Sequence, residues 1–195
     1  MQSDSADRGV PSNSCAAKVL RQLTQDRHRA VEALPIFRRL LLAEVTLADY
    51  AAVLTTHYRF YTVVEPVLIA NNALGLSYQA RLPLLTRDLT ALGCPLPAST
   101  NHSLTIPTKA AACGCRYVIE GSALGGNIIT AHLRARLGDA IDSALAFYTL
   151  DGRPLLSWPK VQAALSEQLD SQQATNEAAA YANLVFSLLE RLANA

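Results

Sequence analysis

The chain reads as an all-α protein, a single-domain multi-helix bundle. Three observations carry that reading. Ala and Leu, both strong helix formers, dominate a composition that is half hydrophobic. Apolar residues recur at intervals of three and four along most of the chain. No segment shows the sustained alternation of a strand. The 195 residues suit one domain with one sizeable core.

The elements follow in order. Residues 1–13 are polar, lack the apolar stretch of a signal peptide and read as a disordered tail, leaving 14–195 as the helical domain. Ser12 or Ser14 can cap a first helix that runs to about Ala33, with Ala16, Val19, Leu20, Leu23, Ala30 and Val31 as its apolar or small positions. Pro35 breaks the chain, and a short helix over Ile36 to Ala43 follows. Thr46 caps the clearest helix, with the acidic Asp49 in its first turn. Leu47, Tyr50, Leu54, Tyr58, Tyr61 and Leu68 form its apolar face, and Pro66 should bend it near the end. A helix over Tyr78 to Leu92 stops at Gly93, where Cys94-Pro95-Leu96-Pro97 starts a loop. Pro107 suits the first turn of a long helix reaching Leu137, with Gly138 as its cap. Leu145 to Tyr148 continues it briefly, and Asp151-Gly152-Arg153-Pro154 is a turn. Two helices close the chain, about Leu155 to Asp170 and Gln172 to Leu192, making seven or eight in all.

Composition excludes several classes. A formal net charge of +1 does not supply the concentrated basic surface that nucleic acid needs. No apolar run reaches the roughly 18–20 residues of a membrane span. The four cysteines show no disulfide framework, and Cys113-Gly114-Cys115 is too tight for a zinc pair. All four read as reduced thiols in a cytoplasmic protein.

The stretch from Tyr117 to Asn127 carries the chemistry. Gly121, Gly125 and Gly126 stand inside an apolar helix, where each glycine costs about 0.5–1 kcal/mol relative to Ala. Gly121 and Gly125 are four apart and share a face. A face without Cβ atoms admits a flat ligand, or a close helix neighbour, almost to the backbone. His28 is the second informative residue. Glu32 lies four residues later on the same face and can orient the imidazole. Neutral imidazole is a good ligand for heme iron, although a histidine between charged neighbours is ordinarily a surface residue.

Taken together, these residues resemble the heme oxygenases. Thr24 and His28 match the spacing of the family's proximal motif, and Gly121, Gly125 and Gly126 match its distal Gly-x-x-x-Gly-Gly. The wording Tyr117-Val118-Ile119-Glu120-Gly121-Ser122-Ala123-Leu124-Gly125 resembles the bacterial branch, including enzymes paired with bacteriophytochromes. Ala178 to Ala180, Phe186 and Leu188 resemble its final amphipathic helix. The resemblance spans about Lys18 to Leu192 and implies heme held between the first helix and a Gly-kinked distal helix.

The resemblance implies oxidative ring opening of heme to biliverdin, with release of carbon monoxide and iron. Oxygen and external electrons, from a ferredoxin or flavin reductase, would drive it. His28 is then the iron ligand, while Gly121, Ser122 and Gly125 form the catalytic distal face. Arg21, Thr24, Glu32, Tyr117, Gly121, Gly125 and Gly126 bind the cofactor. Arg21 lies seven residues before His28 and is the first choice for a propionate, ahead of Lys18 and Arg153. Ser122 stands where the animal enzymes carry an Asp; a hydroxyl holds water but is no carboxylate. Asn127, Arg116 and Tyr117 are candidate substitutes in the proton route. Arg134 and Arg136 could receive an electron donor, and a bacteriophytochrome could receive the product. His132, about 10 Å along the helix from the glycines, reads as rim or surface, His57 as a packed histidine, and His102 as a loop residue without signal.

Three other classes compete. A heme carrier or sensor on the same fold would never open the ring, and Ser122 favours it. A heme-free relative, a di-iron oxidase or a thiamin-degrading protein, would need carboxylates beside histidines. Glu32, Glu65 and Glu120 stand in separate helices without Glu-x-x-His. A plain helical interaction module would explain the apolar faces but not His28 together with the glycine face.

Overall fold

The computed structural model describes residues 15–98 and 100–195. The tail expected over residues 1–13, and the proposed caps Ser12 and Ser14, lie outside that range. The described residues form nine α-helices and three short 3-10 segments, without a strand.

α1 (Ala16–Glu32) begins at Cys15 rather than at a serine, and no side chain of its own caps it. The Ala16 N–H instead donates to Ser166 Oγ at 3.3 Å, so a partner from the far end of the chain satisfies the helix start. Ala16, Ala17, Leu20, Thr24 and Val31 are its buried stripe. Leu23 and Ala30, expected on the apolar face, are exposed. α2 is a single turn, Pro35–Arg39, shorter than expected.

α3 (Leu47–Ala70) opens with a full capping box: Thr46 Oγ1 accepts from the Asp49 N–H, and Asp49 accepts from the Thr46 N–H. The helix carries Pro66 inside it and still runs on to Ala70. α4 (Leu82–Ala91) starts four residues later than the periodicity indicates. The reason is Glu65. Its carboxylate accepts from the Arg81 N–H at 2.6 Å, the Leu82 N–H at 3.2 Å and the Tyr78 hydroxyl at 3.0 Å, so these groups spend their donors across the fold instead of in a helix. α4 ends as Gly93 takes φ +67°, with the Cys94 N–H on the Leu89 carbonyl, a Schellman closure.

α5 (Lys109–Ser122) is capped by Thr108, leaving Pro107 one residue outside the helix rather than in its first turn. The expected long helix is not continuous. A 3-10 turn over Ala123–Gly125 separates α5 from α6 (Gly126–Leu137), so the glycine motif is a break between two helices. Gly138, at φ +59°, follows α6. α7 (Ala146–Thr149) is one turn whose first N–H groups, at Ala146 and Phe147, donate to the buried Asp88 carboxylate at 2.9 and 2.8 Å. α8 (Trp158–Gln168) and α9 (Gln172–Ala193) complete the chain.

Packing explains the burial pattern. α5 lies along α9, and α1 packs on α9 beside it. Gly114 makes the first contact possible: a Cβ there would fall 2.0 Å from the Ala178 carbonyl oxygen. This close approach brings α1 and the α5–α6 break to opposite sides of one cleft.

Candidate functional site

The cleft has two lobes. An inner, largely apolar lobe encloses about 490 Å³, and an outer, more polar lobe about 460 Å³. They meet at His28, Glu32, Val118, Ser122 and Phe186, which line both. The proximal and distal motifs therefore face one another, although nearly a hundred residues separate them in the chain.

α1 presents His28 because Leu20, Thr24 and Val31 bury the neighbouring stripe. Thr24 is 2% exposed, and its hydroxyl donates to the Leu20 carbonyl at 2.8 Å, which locks it against its own helix. His28 Nδ1 lies 3.4 Å from Glu32 Oε2, and Phe186 meets the ring edge-on at 5.5 Å. His28 and Glu32 both line the cleft, so the imidazole and the carboxylate sit side by side at its wall.

The three glycines have three different surroundings. An added Cβ at Gly125 would meet nothing within 4 Å, so this position opens to the inner lobe. At Gly121 it would make an ordinary 3.6 Å contact with Trp158 at the outer lobe. At Gly126 it would fall 2.5 Å from the Tyr148 carbonyl oxygen, so Gly126 is needed to seat α6 on α7. Ser122 lies between them, its hydroxyl donating to the Ile119 carbonyl at 3.0 Å.

Arg21, Thr24 and Tyr117 line the outer lobe, where Tyr117 packs on Trp158 with ring centroids 6.0 Å apart. Burial raises the Tyr117 hydroxyl above its ordinary range, opposed by Thr24 and the charge of Arg21. Lys18 and Arg153 are exposed and outside both walls. Arg116 leaves the proton route: it is buried, donating to Glu120 at 2.7 Å and to the Ser77 carbonyl at 2.6 Å, with its guanidinium over the Tyr78 ring. Asn127 is exposed and outside the cleft. Arg134 pairs with Asp142 at 2.8 Å, and Arg136 is exposed beside it. His132 reaches the Leu42 carbonyl at 3.0 Å and ties the strap after α2 to α6.

The inner wall holds polar groups to which the sequence assigned no role in the site. His57, Tyr61, Arg81 and Tyr148 all line it. Burial lowers His57 to about 4 and pushes Tyr61 up to about 12. His57, read from sequence as a packed histidine, does pack against Phe37, Tyr61 and Phe147, but it also faces the cavity. Asp88 positions Phe147 and Tyr148 through the α7 N–H groups, a link between distant segments that no local signal marks. Glu65 and Glu120 are spent on structure, and the described residues contain no cluster of three His, Cys, Asp or Glu able to hold a metal.

The heme oxygenase family profile matches residues 14–195. A heme oxygenase of Xanthomonas campestris pv. campestris is 34% identical over 142 residues, covering 71% of this chain and 84% of that protein. The heme oxygenase structure from Leptospira interrogans superposes with a TM-score of 0.76 at 17% identity, covering 92% of this chain and 98% of the other. Heme oxygenase-1 from Synechocystis sp. PCC 6803, solved in complex with heme, gives 0.72 at 16% identity, over 93% and 91%.

Proposed function

Because the chain belongs to the heme oxygenase family, an enzyme family that opens heme oxidatively to biliverdin, we propose that its two-lobed cleft holds heme with His28 as the residue that would ligate the iron. One observation carries the reading: His28 of α1 and Gly125 of the break between α5 and α6 line the same apolar cavity, with Glu32 3.4 Å from the imidazole Nδ1.

The residues fit the group. An imidazole held by a carboxylate on its other nitrogen is a well-oriented iron ligand. The apolar inner lobe suits the hydrocarbon perimeter of the macrocycle, and the outer lobe offers Arg21 and Tyr117 to propionates. Bound heme supplies the oxygen chemistry, and the protein supplies ligation, orientation and shielding from water. Gly125 would leave space for a small ligand on the side of the cavity away from His28, which the neighbouring Val118 and Ser122 would restrict. Ser122 can hold a water through its lone pairs, since its proton is engaged by Ile119. Electrons would come from an external ferredoxin or flavin reductase docking near the exposed Arg136, and a bacteriophytochrome could take up the product. No helix of the described residues is long and apolar enough to cross a membrane. A cytoplasmic bacterial enzyme is the setting this reading carries, from the likeness of the Tyr117 to Gly125 wording to the bacterial branch.

Hemin titration followed by reduction in air tests the proposal. A stoichiometric Soret band should form and then decay as bilin absorption grows. His28→Ala should lose the axial-ligand signature and turnover, with recovery of the band on adding free imidazole. A His28→Ala protein with an unaltered Soret band would refute the ligand assignment.

A further inference from the structure

One wall of the outer lobe comes from a residue outside both motifs. Trp158 is the chain's single tryptophan and the first residue of α8. The Lys160 and Val161 N–H groups both donate to the Ser157 carbonyl, which fixes the first turn of α8, and α8 packs on α1 and on α5. That turn carries the half-buried indole into the outer lobe. The far edge of the indole stands over Gly121: Cη2 and Cζ3 lie 3.6 and 3.9 Å from the place a Cβ would take. The Tyr117 ring packs on it with centroids 6.0 Å apart and planes at 48°. Tyr117 joins this wall to the polar groups of the lobe, since its hydroxyl responds to Thr24 and to the Arg21 charge. Gly121 therefore has the indole on its bare side, where Gly125 has open space.

A flat macrocycle tied to one axial histidine can still turn in its own plane, because a single bond fixes its centre and not its edges. Cations alone leave two seats for its carboxylates. Arg21 and Arg29 line the outer lobe, and Arg38 lines the inner one. All three are exposed, and charges bathed in water select only weakly between seats. A packed aromatic ring selects by overlap, to which a close-packed wall does not yield. We propose that Trp158 is a specificity-determining residue: its indole is the wall on which one edge of the macrocycle rests, so that the carboxylates lie at Arg21 and one bridge of the ring is presented for opening. This rests on the heme reading of the cleft.

Proton NMR of the cyanide-bound hemin complex tests the contact in the wild-type protein, where the single indole is readily assigned. Cross-relaxation between the indole protons and a substituent on the heme edge is expected. Its absence in a complex with a stoichiometric Soret band would overturn the proposal and leave the heme reading standing, whereas the lack of any Soret band would overturn both. Chromatography of the product tests the selection. The wild type should yield one predominant biliverdin isomer, and a mixture from the wild type would overturn the proposal. Trp158→Ala should raise the minor isomers by about tenfold and show a second set of heme methyl resonances, with hemin affinity within about fivefold. Trp158→Phe keeps a ring in the lobe and should restore most of the single-isomer pattern. An unchanged isomer ratio in folded Trp158→Ala would overturn the proposal, and so would a Trp158→Phe protein as mixed as Trp158→Ala. If Trp158→Ala fails to fold, Trp158→Leu keeps apolar bulk against α1 and α5 without the ring and carries the same comparison.

Discussion

His57 illustrates how a single side chain couples the cavity to stability. Its folded value of about 4 lies below the ordinary 6.5 because burial penalises the charged ring. Above pH 6.5 neither folded nor unfolded protein carries the proton, and the contribution of the neutral ring is complete. As pH falls from 6.5 towards 4, the unfolded chain binds a proton that the fold refuses, so stability declines by up to about 3 kcal/mol and then levels off. Denaturant titrations across that window should show this acid slope, and His57→Phe should flatten it. The glycines separate by the same close reading. Gly125→Ala meets open space, so it should leave the melting temperature unchanged or raise it while weakening hemin by narrowing the cleft. Gly126→Ala meets the Tyr148 carbonyl and should destabilise by about 1–3 kcal/mol. Thermal melts alongside hemin titrations distinguish the two.

At the scale of elements, what matters is which helix supplies the partner for another's free backbone groups. α7 is too short to hold itself, and Asp88 of α4 takes its first two N–H groups. Asp88→Ala should therefore melt α7 first and loosen the inner wall through Phe147 and Tyr148. Hydrogen exchange at Ala146 and Phe147 should rise before global unfolding, with a stability loss of about 2–4 kcal/mol. Protection at those two amides equal to wild type would count against that role. Glu65 acts similarly, accepting from the Arg81 and Leu82 N–H groups at the start of α4 and so fixing the backbone that carries Arg81. The α5–α9 pair depends on Gly114, where the 2.0 Å clash is with backbone and has no side chain to move. Gly114→Ala should be more damaging than Gly126→Ala.

Across the whole molecule, the cysteines report how the core is closed. Cys113 and Cys115 are fully buried on the α5–α9 side, and burial pushes their thiols up to about 11 and 12. Cys15 and Cys94 are partly exposed. A thiol reagent at neutral pH should modify Cys15 and Cys94 readily and the other two only on unfolding. Saturating hemin should raise the melting temperature of the whole domain, since the proposed site is built from both α1 and the α5–α6 break.

The sequence by itself determined the helical class, most helix ends and the two motifs of the cleft. Those features are local: a 3.6-residue apolar period, the Thr46 cap, Gly93 at positive φ, and His28 four residues from Glu32. Tertiary structure alone decided which glycine faces the cavity, because Gly121, Gly125 and Gly126 read alike until Trp158 and Tyr148 stand beside them. It also decided that Arg116 braces the segment before α4 while Arg81 faces the cavity, and that α5 and α6 part at the glycines. The physical reason is range. Periodicity and capping act within a few residues, whereas an acceptor for a buried guanidinium, or a carbonyl against a missing Cβ, comes from a segment that only folding brings near.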